Sequence, residues 1–321
     1  MQNESVVKNE GVVIKVARNS CQVDLPNFST PVPCTLRKKI SDLSKTQGFA
    51  HPLAVGDHVL VSMSENSSNQ QGVIEEILKR KNKFSRPVVS RHHQEQIVVS
   101  NLDQLIIVVA LKEGSIPFGT IDRYLCSAEN NDLEVVICLN KSDLIGPIDL
   151  FSEKLRIYSE MGYSVLLTSA LNRSGIQALQ TLLGQKMSVF CGPSGTGKSS
   201  LLNAIQPNLQ LKTREVNPKT KAGRHTTTAM SLLKLDFGGY VVDTPGIREI
   251  GLWDITAQEL PLLFRDFVSL ERACRFRSCL HINEPECSVK DALASGKIHP
   301  ERYASYQRIL QSLQEEEKEK Y

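Results

Sequence analysis

A glycine-rich segment in the middle of the chain has the residue types and the spacing that bind a nucleoside triphosphate. Residues 187–205 read MSVFCGPSGTGKSSLLNAI, which predicts a short buried strand, a loop and the start of a helix. The loop fits the pattern G-x-x-x-x-G-K-[ST] through Gly192, Gly197, Lys198 and Ser199. Glycines let the backbone wrap around a phosphate, and the helix presents its positive end to that anion. The segment predicts a phosphate-binding loop, without saying which base the nucleotide carries.

Two side chains of this loop have chemical roles of their own. The Lys198 ammonium would reach the β- and γ-phosphates and stabilise the charge that develops when water attacks, so we predict that Lys198 is catalytic. The Ser199 hydroxyl would bind Mg²⁺. The alternative, an ordinary turn between a strand and a helix, does not account for the complete motif in this context. The residues predicted to contact the nucleotide or its Mg²⁺ are Gly192, Pro193, Ser194, Gly195, Thr196, Gly197, Lys198, Ser199 and Ser200.

A four-residue segment after another apolar strand indicates which base is bound. Residues 140–143 read N-K-S-D. The Asp143 carboxylate can accept from guanine N1–H and N2–H₂ together, a pattern that adenine does not present. The Asn140 side chain can contact the base, and the stem of Lys141 can stack over its plane. The alternative is a loop in which Asp143 caps a helix, but the combination with a phosphate-binding loop favours guanine.

Two more strand ends carry residues that fit the same site. Thr-Ser-Ala at 168–170 follows the next strand, and a backbone N–H of Ser169 or Ala170 could hold the guanine carbonyl. D-T-P-G at 243–246 ends a later strand; there Asp243 can hold Mg²⁺ through water, and the Gly246 N–H can reach the γ-phosphate. The alternative for the second segment is a turn that ends a strand.

A threonine-rich loop lies between the phosphate-binding segment and D-T-P-G. Residues 223–228 read GRHTTT, and one threonine could complete the Mg²⁺ shell as part of a switch loop. We favour Thr227 and leave Thr226 and Thr228 as alternatives. The polar, basic stretch 211–224 suits a loop that becomes ordered only with a triphosphate.

The order of these motifs is unusual. In ordinary small GTPases the phosphate-binding loop comes first and N-K-x-D comes late, whereas here N-K-S-D and T-S-A precede the loop. This order indicates a circular permutation, which is physically reasonable because domain termini are often close in space. It also ties the segment after D-T-P-G covalently to the C-terminal part of the chain.

The C-terminal part contains a candidate metal site. Cys274, Cys279, His281 and Cys287 follow the pattern C-x4-C-x-H-x5-C, and three thiolates with one imidazole suit tetrahedral Zn²⁺. The alternative is a set of reduced cysteines with a chance histidine. Surrounding arginines could grip RNA phosphate, or they could form a solvated helix face; they are Arg265, Arg272, Arg275 and Arg277.

Length and composition limit the class of protein. A chain of 321 residues predicts two or three domains, and 40% apolar residues can support real cores. The net charge of +3 neither requires nor excludes a nucleic-acid partner. There is no apolar run of membrane-spanning length and no signal pattern, and of eight cysteines five are scattered singly. We expect a soluble cytoplasmic protein with reduced thiols and no membrane partner.

The N-terminal residues predict a small β-barrel. Residues 8–80 contain five short valine-rich runs separated by turn residues, which is typical of an OB-type barrel. Such a barrel either binds oligonucleotides or serves as an adaptor. Few aromatics are available for stacking, so RNA contact would be with phosphates, through Arg37, Lys38 and Lys39. The basic run 79–86 favours a solvated linker, with RNA-backbone contact as the alternative.

The predicted fold is multidomain α/β with three domains. Apolar strands alternate with helices between residues 96 and 251, which indicates a doubly wound, mostly parallel sheet. After residue 252 the pattern is helical, with a capping box at 256–259 and a long polar helix from about residue 302. The predicted domains are an OB-like barrel at 1–83, a circularly permuted P-loop GTPase domain at 84–252 and a helical zinc-binding domain at 253–321.

With these motifs in this order, nearly the whole chain resembles the RsgA (YjeQ) family of small ribosomal subunit biogenesis GTPases. The resemblance implies a monomeric GTPase that binds GTP and GDP, contacts 16S rRNA and is stimulated by the 30S subunit. It also implies action in late maturation of that subunit and departure on hydrolysis. The family lacks the usual catalytic glutamine after D-x-x-G, and here Ile247 stands at that position. By resemblance His225 orients the water; the alternative is a surface histidine in a loop.

Three other classes of protein are alternatives to this interpretation. A transport-type ATPase would also carry the sequence GPSGTGKS, but it should have an L-S-G-G-Q-like signature, which the chain lacks. An RNA-binding assembly factor with a relic nucleotide site would not need Lys198, Ser199 and Asp243 intact. A free-standing zinc module that binds RNA would leave the central domain unexplained.

Overall fold

The computed structural model describes most of the chain, in two compact units. The first unit comprises Met1–Asp103, Leu183–Val189 and Lys219–Pro245, and the second Gln104–Leu182, Phe190–Pro218 and Gly246–Tyr321. Within them, the described residues are 8–17, 20–40, 51–63, 71–87, 95–110, 117–144, 156–211, 231–243 and 255–319. The three predicted domain boundaries stay a prediction.

Five short strands of the first unit close into a barrel, as the sequence predicts. They are β1 (Lys8–Val16), β2 (Cys21–Asp24), β3 (Val32–Leu36), β4 (His58–Met63) and β5 (Gly72–Ile77). Neighbouring strands follow the order β1-β2-β3-β5-β4, and β1 also pairs with β4. Alternation along the strands turns valines inward, and Val13, Val23 and Val59 are fully buried.

The basic run after the barrel is structured, and its prediction as a solvated linker is wrong. Its last residues belong to β6 (Lys83–Pro87), which pairs antiparallel with β7 (Glu95–Ser100). The Arg80 guanidinium donates to the buried Asp57 carboxylate, with Nε 2.6 Å from Oδ1 and Nη2 2.7 Å from Oδ2. Ser100 Oγ donates to the same carboxylate at 2.6 Å. A buried charge needs such partners, so Arg80 holds this segment against the start of β4.

The first unit also contains strands from the later part of the chain. They are β12 (Ser231–Lys234), β13 (Tyr240–Asp243) and the first residues of β11 (Met187–Cys191). β13 runs parallel to β11, with Val242 opposite Val189, and antiparallel to β12. One residue pair, Lys15 and Ser231, joins β12 antiparallel to β1 of the barrel.

Three parallel strands form the sheet part of the second unit. They are β8 (Gln104–Ala110), β9 (Glu134–Asn140) and β10 (Ser164–Thr168), with β9 between the other two. Nearly every side chain of β8 and β9 is buried, which is typical of a parallel strand covered on both faces. The helices that follow strands are α1 (Phe118–Glu129), α2 (Ile176–Leu183) and α3 (Lys198–Ile205).

The C-terminal residues of the second unit are helical. They form a 3₁₀ turn (Leu260–Leu263) and the helices α4 (Arg265–Glu271), α5 (Ser288–Ala294) and α6 (Pro300–Glu319). The predicted capping box is present, because Glu259 accepts from the Thr256 N–H at 2.9 Å and Thr256 Oγ1 accepts from the Glu259 N–H at 3.3 Å. It opens the 3₁₀ turn rather than a helix. Phe264, Phe267 and Tyr306 pack together at the centre of this part.

In the described ranges, the structure contains no helix with both the length and the apolar character that crossing a membrane would require.

Candidate functional site

The glycines of the phosphate-binding loop are required by its geometry. Gly192 has φ +131°, and a Cβ there would lie 2.0 Å from the Val108 carbonyl oxygen. Gly197 has φ +94°, and a Cβ there would lie 2.3 Å from Asn140 Nδ2. Gly195 also has positive φ, at +81°. A loop with left-handed residues at these positions can turn successive backbone N–H groups toward one side, where they can bind an anion.

The Lys198 side chain folds over the start of the loop. It is the first residue of α3, and its ammonium donates to the carbonyls of Gly192 at 2.7 Å and Pro193 at 2.8 Å. Thr196 Oγ1 donates to the same Pro193 carbonyl at 3.0 Å. These bonds hold the ammonium beside the loop that is predicted to bind phosphates. Exposed loop residues are Pro193, Ser194 and Gly195, whereas Ser199 and Ser200 are half-buried in the first turn of α3.

Asn140 links the guanine segment to the phosphate-binding loop. It is the last residue of β9, it is buried, and in register it lies opposite Thr168 of β10. Its Nδ2 donates to the Thr196 carbonyl at 2.8 Å, and its Oδ1 accepts from Thr168 Oγ1 at 3.3 Å. The structure thus gives Asn140 a bridging role that its sequence motif did not reveal. Its predicted contact with the base stays a prediction.

A second contact joins the two loops predicted to read the base. The Ser169 hydroxyl donates to Asp143 Oδ1, and it accepts from the Leu171 N–H at 3.2 Å. This orients the Asp143 carboxylate, which is exposed at the end of β9. The Ser169 N–H donates to the Ser174 carbonyl at 3.0 Å. Because the Ser169 N–H is already bonded, Ala170 is the better candidate for the predicted backbone contact with guanine, and that contact stays a prediction.

Asp243 is the last residue of β13. In register it lies opposite Ser231 of β12, and its neighbour Val242 lies opposite Val189 of β11. Strand β11 leads directly into the phosphate-binding loop along the chain. Three other predicted site residues, His225, Thr227 and Gly246, lie outside the described residues.

The four predicted metal ligands converge in the second unit. One ligand atom from each of Cys274, Cys279, His281 and Cys287 lies within 4.8 Å of all the others. His281 Nδ1 is 3.3 Å from Cys287 Sγ and 3.7 Å from Cys274 Sγ, and these two sulfurs are 4.0 Å apart. A tetrahedral ion with bonds of about 2.3 Å to sulfur and about 2.0 Å to nitrogen needs ligand atoms about 3.5–3.8 Å apart. The donor set and its spacing fit such an ion.

Neighbouring groups hold the backbone that carries these ligands. Tyr303 donates to the His281 carbonyl at 2.5 Å, and Tyr306 donates to the Leu280 carbonyl at 2.7 Å. The Glu284 carboxylate accepts from the N–H groups of Leu280 at 2.8 Å and Ile282 at 2.9 Å. Burial acts to raise the pKa of Glu284, but the backbone donors outweigh it and lower the pKa. The contacts of Tyr303 and Tyr306 were not predicted, because these residues lie on α6 and only the fold brings that helix to this loop.

Burial shifts the pKa of two of the predicted metal ligands, His281 and Cys279. It lowers the pKa of His281, which favours the neutral imidazole that binds metals. It raises the pKa of the Cys279 thiol to about 12, so a divalent cation that binds here displaces that proton.

The arginines near the predicted metal site differ in the contacts that their side chains make. Arg265 Nε lies 2.8 Å from Glu129 Oε1 of α1, and its guanidinium lies 4.1 Å from the centre of the Tyr163 ring. Arg265 is exposed and makes these contacts on the surface of the unit, so the choice between RNA contact and a solvated face stays open. Arg275 forms an exposed ion pair with Glu286.

Comparison with known proteins identifies the family. The model of the family described as RsgA GTPase matches residues 77–253, more than half of the chain. The chain belongs to the RsgA GTPase family. In this RsgA chain the N-K-S-D segment at the end of β9 precedes the phosphate-binding loop after β11, so the GTPase fold is circularly permuted.

Curated RsgA relatives are similar over most of the chain. A protein of Thermotoga petrophila named small ribosomal subunit biogenesis GTPase RsgA is 40% identical over 309 residues, which cover 96% of this chain and 97% of the relative. A protein of the same name from Caldanaerobacter subterraneus is 42% identical over 254 residues, which cover 79% and 82%.

Two solved structures share the RsgA fold. YjeQ from Thermotoga maritima is 37% identical with a TM-score of 0.77, and the match covers 96% of this chain and 99% of that one. YloQ, described as a circularly permuted GTPase, is 28% identical with a TM-score of 0.74, and the match covers 98% of each. Both support the barrel, permuted GTPase and helical C-terminal parts as one architecture.

Proposed function

We propose that the chain is a GTP hydrolase that acts on the small (30S) ribosomal subunit during its late maturation and leaves on hydrolysis. The observation that carries the proposal is the linkage in the second unit. Asn140 joins the guanine segment to the phosphate-binding loop, and Ser169 orients Asp143. A base-reading carboxylate and a phosphate-binding loop tied together in this way suit one guanine nucleotide, bound as GTP or GDP.

Each residue of the site has a proposed part in hydrolysis. Water attacks the γ-phosphate, oriented by His225, while the Lys198 ammonium stabilises the charge that develops on the phosphate oxygens. Hydroxyl and carboxylate oxygens are the ligands that Mg²⁺ prefers, and Ser199, Thr227 and Asp243 supply them, the last through water. When bound, Mg²⁺ neutralises phosphate charge. Gly246 would offer its N–H to the γ-phosphate.

The proposed partner follows from the relatives and from the sequence. Relatives that cover nearly the whole chain carry the name small ribosomal subunit biogenesis GTPase. We therefore propose 16S rRNA within the 30S subunit as the contact, with binding as a monomer. A cytoplasmic location agrees with eight cysteines that are all unpaired.

We propose that the Cys₃His cluster holds one structural Zn²⁺ per chain. Three thiolates and one imidazole are a donor set that Zn²⁺ prefers. All four ligand atoms lie within 4.8 Å of one another, and four protein ligands complete a tetrahedral structural site. The ion would fix this loop against α6, where Tyr303 and Tyr306 already hold its backbone.

The first test is hydrolysis of GTP compared with ATP by the purified chain. We expect GTP to be hydrolysed and ATP to be left intact, and Lys198→Ala to lower GTP turnover by about 10²-fold or more, since an electrostatic stabiliser of the transition state is lost. Turnover that is unchanged in Lys198→Ala would reject the enzyme and revive a binding factor with a relic site.

A second test addresses the base. Asp143→Asn should weaken the preference for guanine and favour the xanthine nucleotide, because the new amide can donate to the xanthine carbonyl. Affinities for GTP and xanthosine triphosphate, measured by competition, give the result. A retained GTP preference would reject Asp143 as the residue that reads the base.

A third test addresses His225. His225→Ala should leave GTP affinity intact and slow hydrolysis on the small subunit, because the water loses its orienting group. Equal turnover of the two proteins on the subunit would show that His225 is not catalytic.

A further inference from the structure

Strand β12 lies between the barrel and the strand that ends in Asp243. Ser231 of β12 lies opposite Lys15 of β1 on one side and opposite Asp243 of β13 on the other. Neighbouring strands are about 4.8 Å apart, so the barrel strand lies about two strand spacings from Asp243, in the same row. All three residues belong to the first unit.

The barrel also holds the opposite end of this strand pair. Lys234 and Tyr240 lie opposite each other at that end of β12 and β13. Both side chains bind Asp24, which ends β2 of the barrel: Lys234 Nζ is 2.8 Å from Oδ2, and the Tyr240 O–H donates to the same oxygen. Asp24 is only 8% exposed, and a buried carboxylate needs hydrogen-bond partners such as these.

Strand β13 lies between β11 and β12. Its register with β11 ends at Val242, whereas its register with β12 reaches Asp243 through Ser231, so the place of Asp243 depends in part on what holds β12. Here the backbone pair at Ser231 and the carboxylate of Asp24 hold both ends of β12–β13 from the barrel. Tyr240 is three residues before Asp243 on the same strand. Tyr240 therefore links Asp24 of the barrel to the strand that carries Asp243.

We propose that Asp24 and Tyr240 are positioning residues for Mg²⁺ binding: the barrel fixes the place of Asp243 through them. The inference rests on the proposed function, in which Asp243 holds Mg²⁺ with GTP. It makes the barrel a part of the nucleotide machinery.

The test is the Mg²⁺ concentration for half-maximal binding of a non-hydrolysable fluorescent GTP analogue to the full chain, a readout without turnover. Tyr240→Phe keeps the ring and removes the hydroxyl, and Asp24→Asn keeps the shape and removes the charge. Both should raise the Mg²⁺ midpoint by about two- to tenfold, the equivalent of one hydrogen bond. The matched control is Tyr163→Phe, which removes a similar bond, Tyr163 O–H to Glu129 Oε1 at 2.9 Å, in the second unit.

The outcomes separate the inference from the function on which it rests. Thermal unfolding of all variants gives the purely structural effect, which should be similar for Tyr240→Phe and Tyr163→Phe. If Tyr240→Phe and Asp24→Asn lower the unfolding temperature but leave the Mg²⁺ midpoint at the wild-type value, the positioning role is overturned. If the wild type binds no GTP analogue at any Mg²⁺ concentration, the proposed function fails and this inference fails with it.

Discussion

At the scale of single residues, the phosphate-binding loop depends on backbone conformations that only glycine adopts easily. Gly192 illustrates this, because its φ is positive and the space where a side chain would start is taken by the Val108 carbonyl of β8. Its neighbours in the loop are exposed, so the constraint comes from the sheet and not from crowding around the whole loop. The sequence motif therefore has a steric as well as a chemical cause.

Gly192→Ala tests that constraint. The added methyl would overlap a backbone oxygen of β8, so we expect a loss of stability of about 3 kcal/mol and a loss of nucleotide binding. Gly296→Ala is the matched control: Gly296 has φ +75°, but nothing lies within 4 Å of its added Cβ. The control should cost only about 1 kcal/mol, the price of the left-handed conformation. Equal effects in urea unfolding would contradict the steric explanation.

Motifs made of residues that are close in sequence could be predicted. The hydrogen bonds that their side chains make could be predicted only in part. The spacing of Gly192, Gly197 and Lys198 predicts the loop because the motif is local. The bond between Ser169 and Asp143 joins residues 26 positions apart. Nothing in T-S-A or N-K-S-D indicates that their side chains meet, so the sequence analysis proposed only a backbone N–H of Ser169 or Ala170 and missed the bond made by the Ser169 hydroxyl.

At the scale of elements, a buried ion pair joins the C-terminal helices to α1. The Arg302 guanidinium of α6 donates to Asp122 of α1, and its Nη2 lies 2.8 Å from Asp266 Oδ1 of α4. It also lies 4.3 Å from the centre of the Phe264 ring. Tyr158 O–H donates to Asp122 at 2.8 Å. One cation thus holds three helices together in the second unit.

Arg302→Met should destabilise the chain strongly. The variant leaves the buried Asp122 carboxylate without its cation, which costs about 3–5 kcal/mol. Arg156→Met is the matched control, because Arg156 and Glu160 form an exposed pair, 73% and 59% accessible, one helical turn apart. The control should change stability by no more than about 0.5 kcal/mol. Chemical denaturation followed by circular dichroism measures both, and similar losses would reject the buried pair as the cause.

The loop of the candidate zinc site gives a second prediction at this scale. Cys279→Ser should lose the metal and loosen the C-terminal helices, since a structural zinc contributes folding free energy directly. Cys126→Ser is the control, because Cys126 is buried in the same core but is not one of the four ligands. Elemental analysis of the purified proteins gives the result. Full zinc content in Cys279→Ser would contradict the ligand assignment.

Elements were predictable where their patterns were local and uniform. Continuous apolar runs predicted β8 and β9, and valine alternation predicted the five barrel strands. The pair β6–β7 was missed because its first strand carries Lys83 and Arg86, which look like part of a solvated basic run. The pair Arg302–Asp122 joins residues 180 positions apart, so only the fold brings them together.

At the scale of the whole molecule, each unit combines a part of the GTPase fold with another part of the chain. The first unit contains the barrel together with β12 and β13, and the second contains the guanine segment together with the C-terminal helices. The predicted boundaries at residues 83 and 252 follow changes in sequence pattern. Contacts such as Asp24 with Tyr240 cross such boundaries, and no composition shift reveals them.

One measurement tests most directly the proposal that this chain hydrolyses GTP on the small ribosomal subunit. The most direct measurement is steady-state GTP hydrolysis with purified small subunits, with large subunits and with neither, using ATP as the control nucleotide. We predict slow turnover of GTP by the chain alone, strong stimulation by small subunits only, and no turnover of ATP. Basal GTP hydrolysis that small subunits leave unchanged would contradict the ribosomal partner, even though the GTPase would stand.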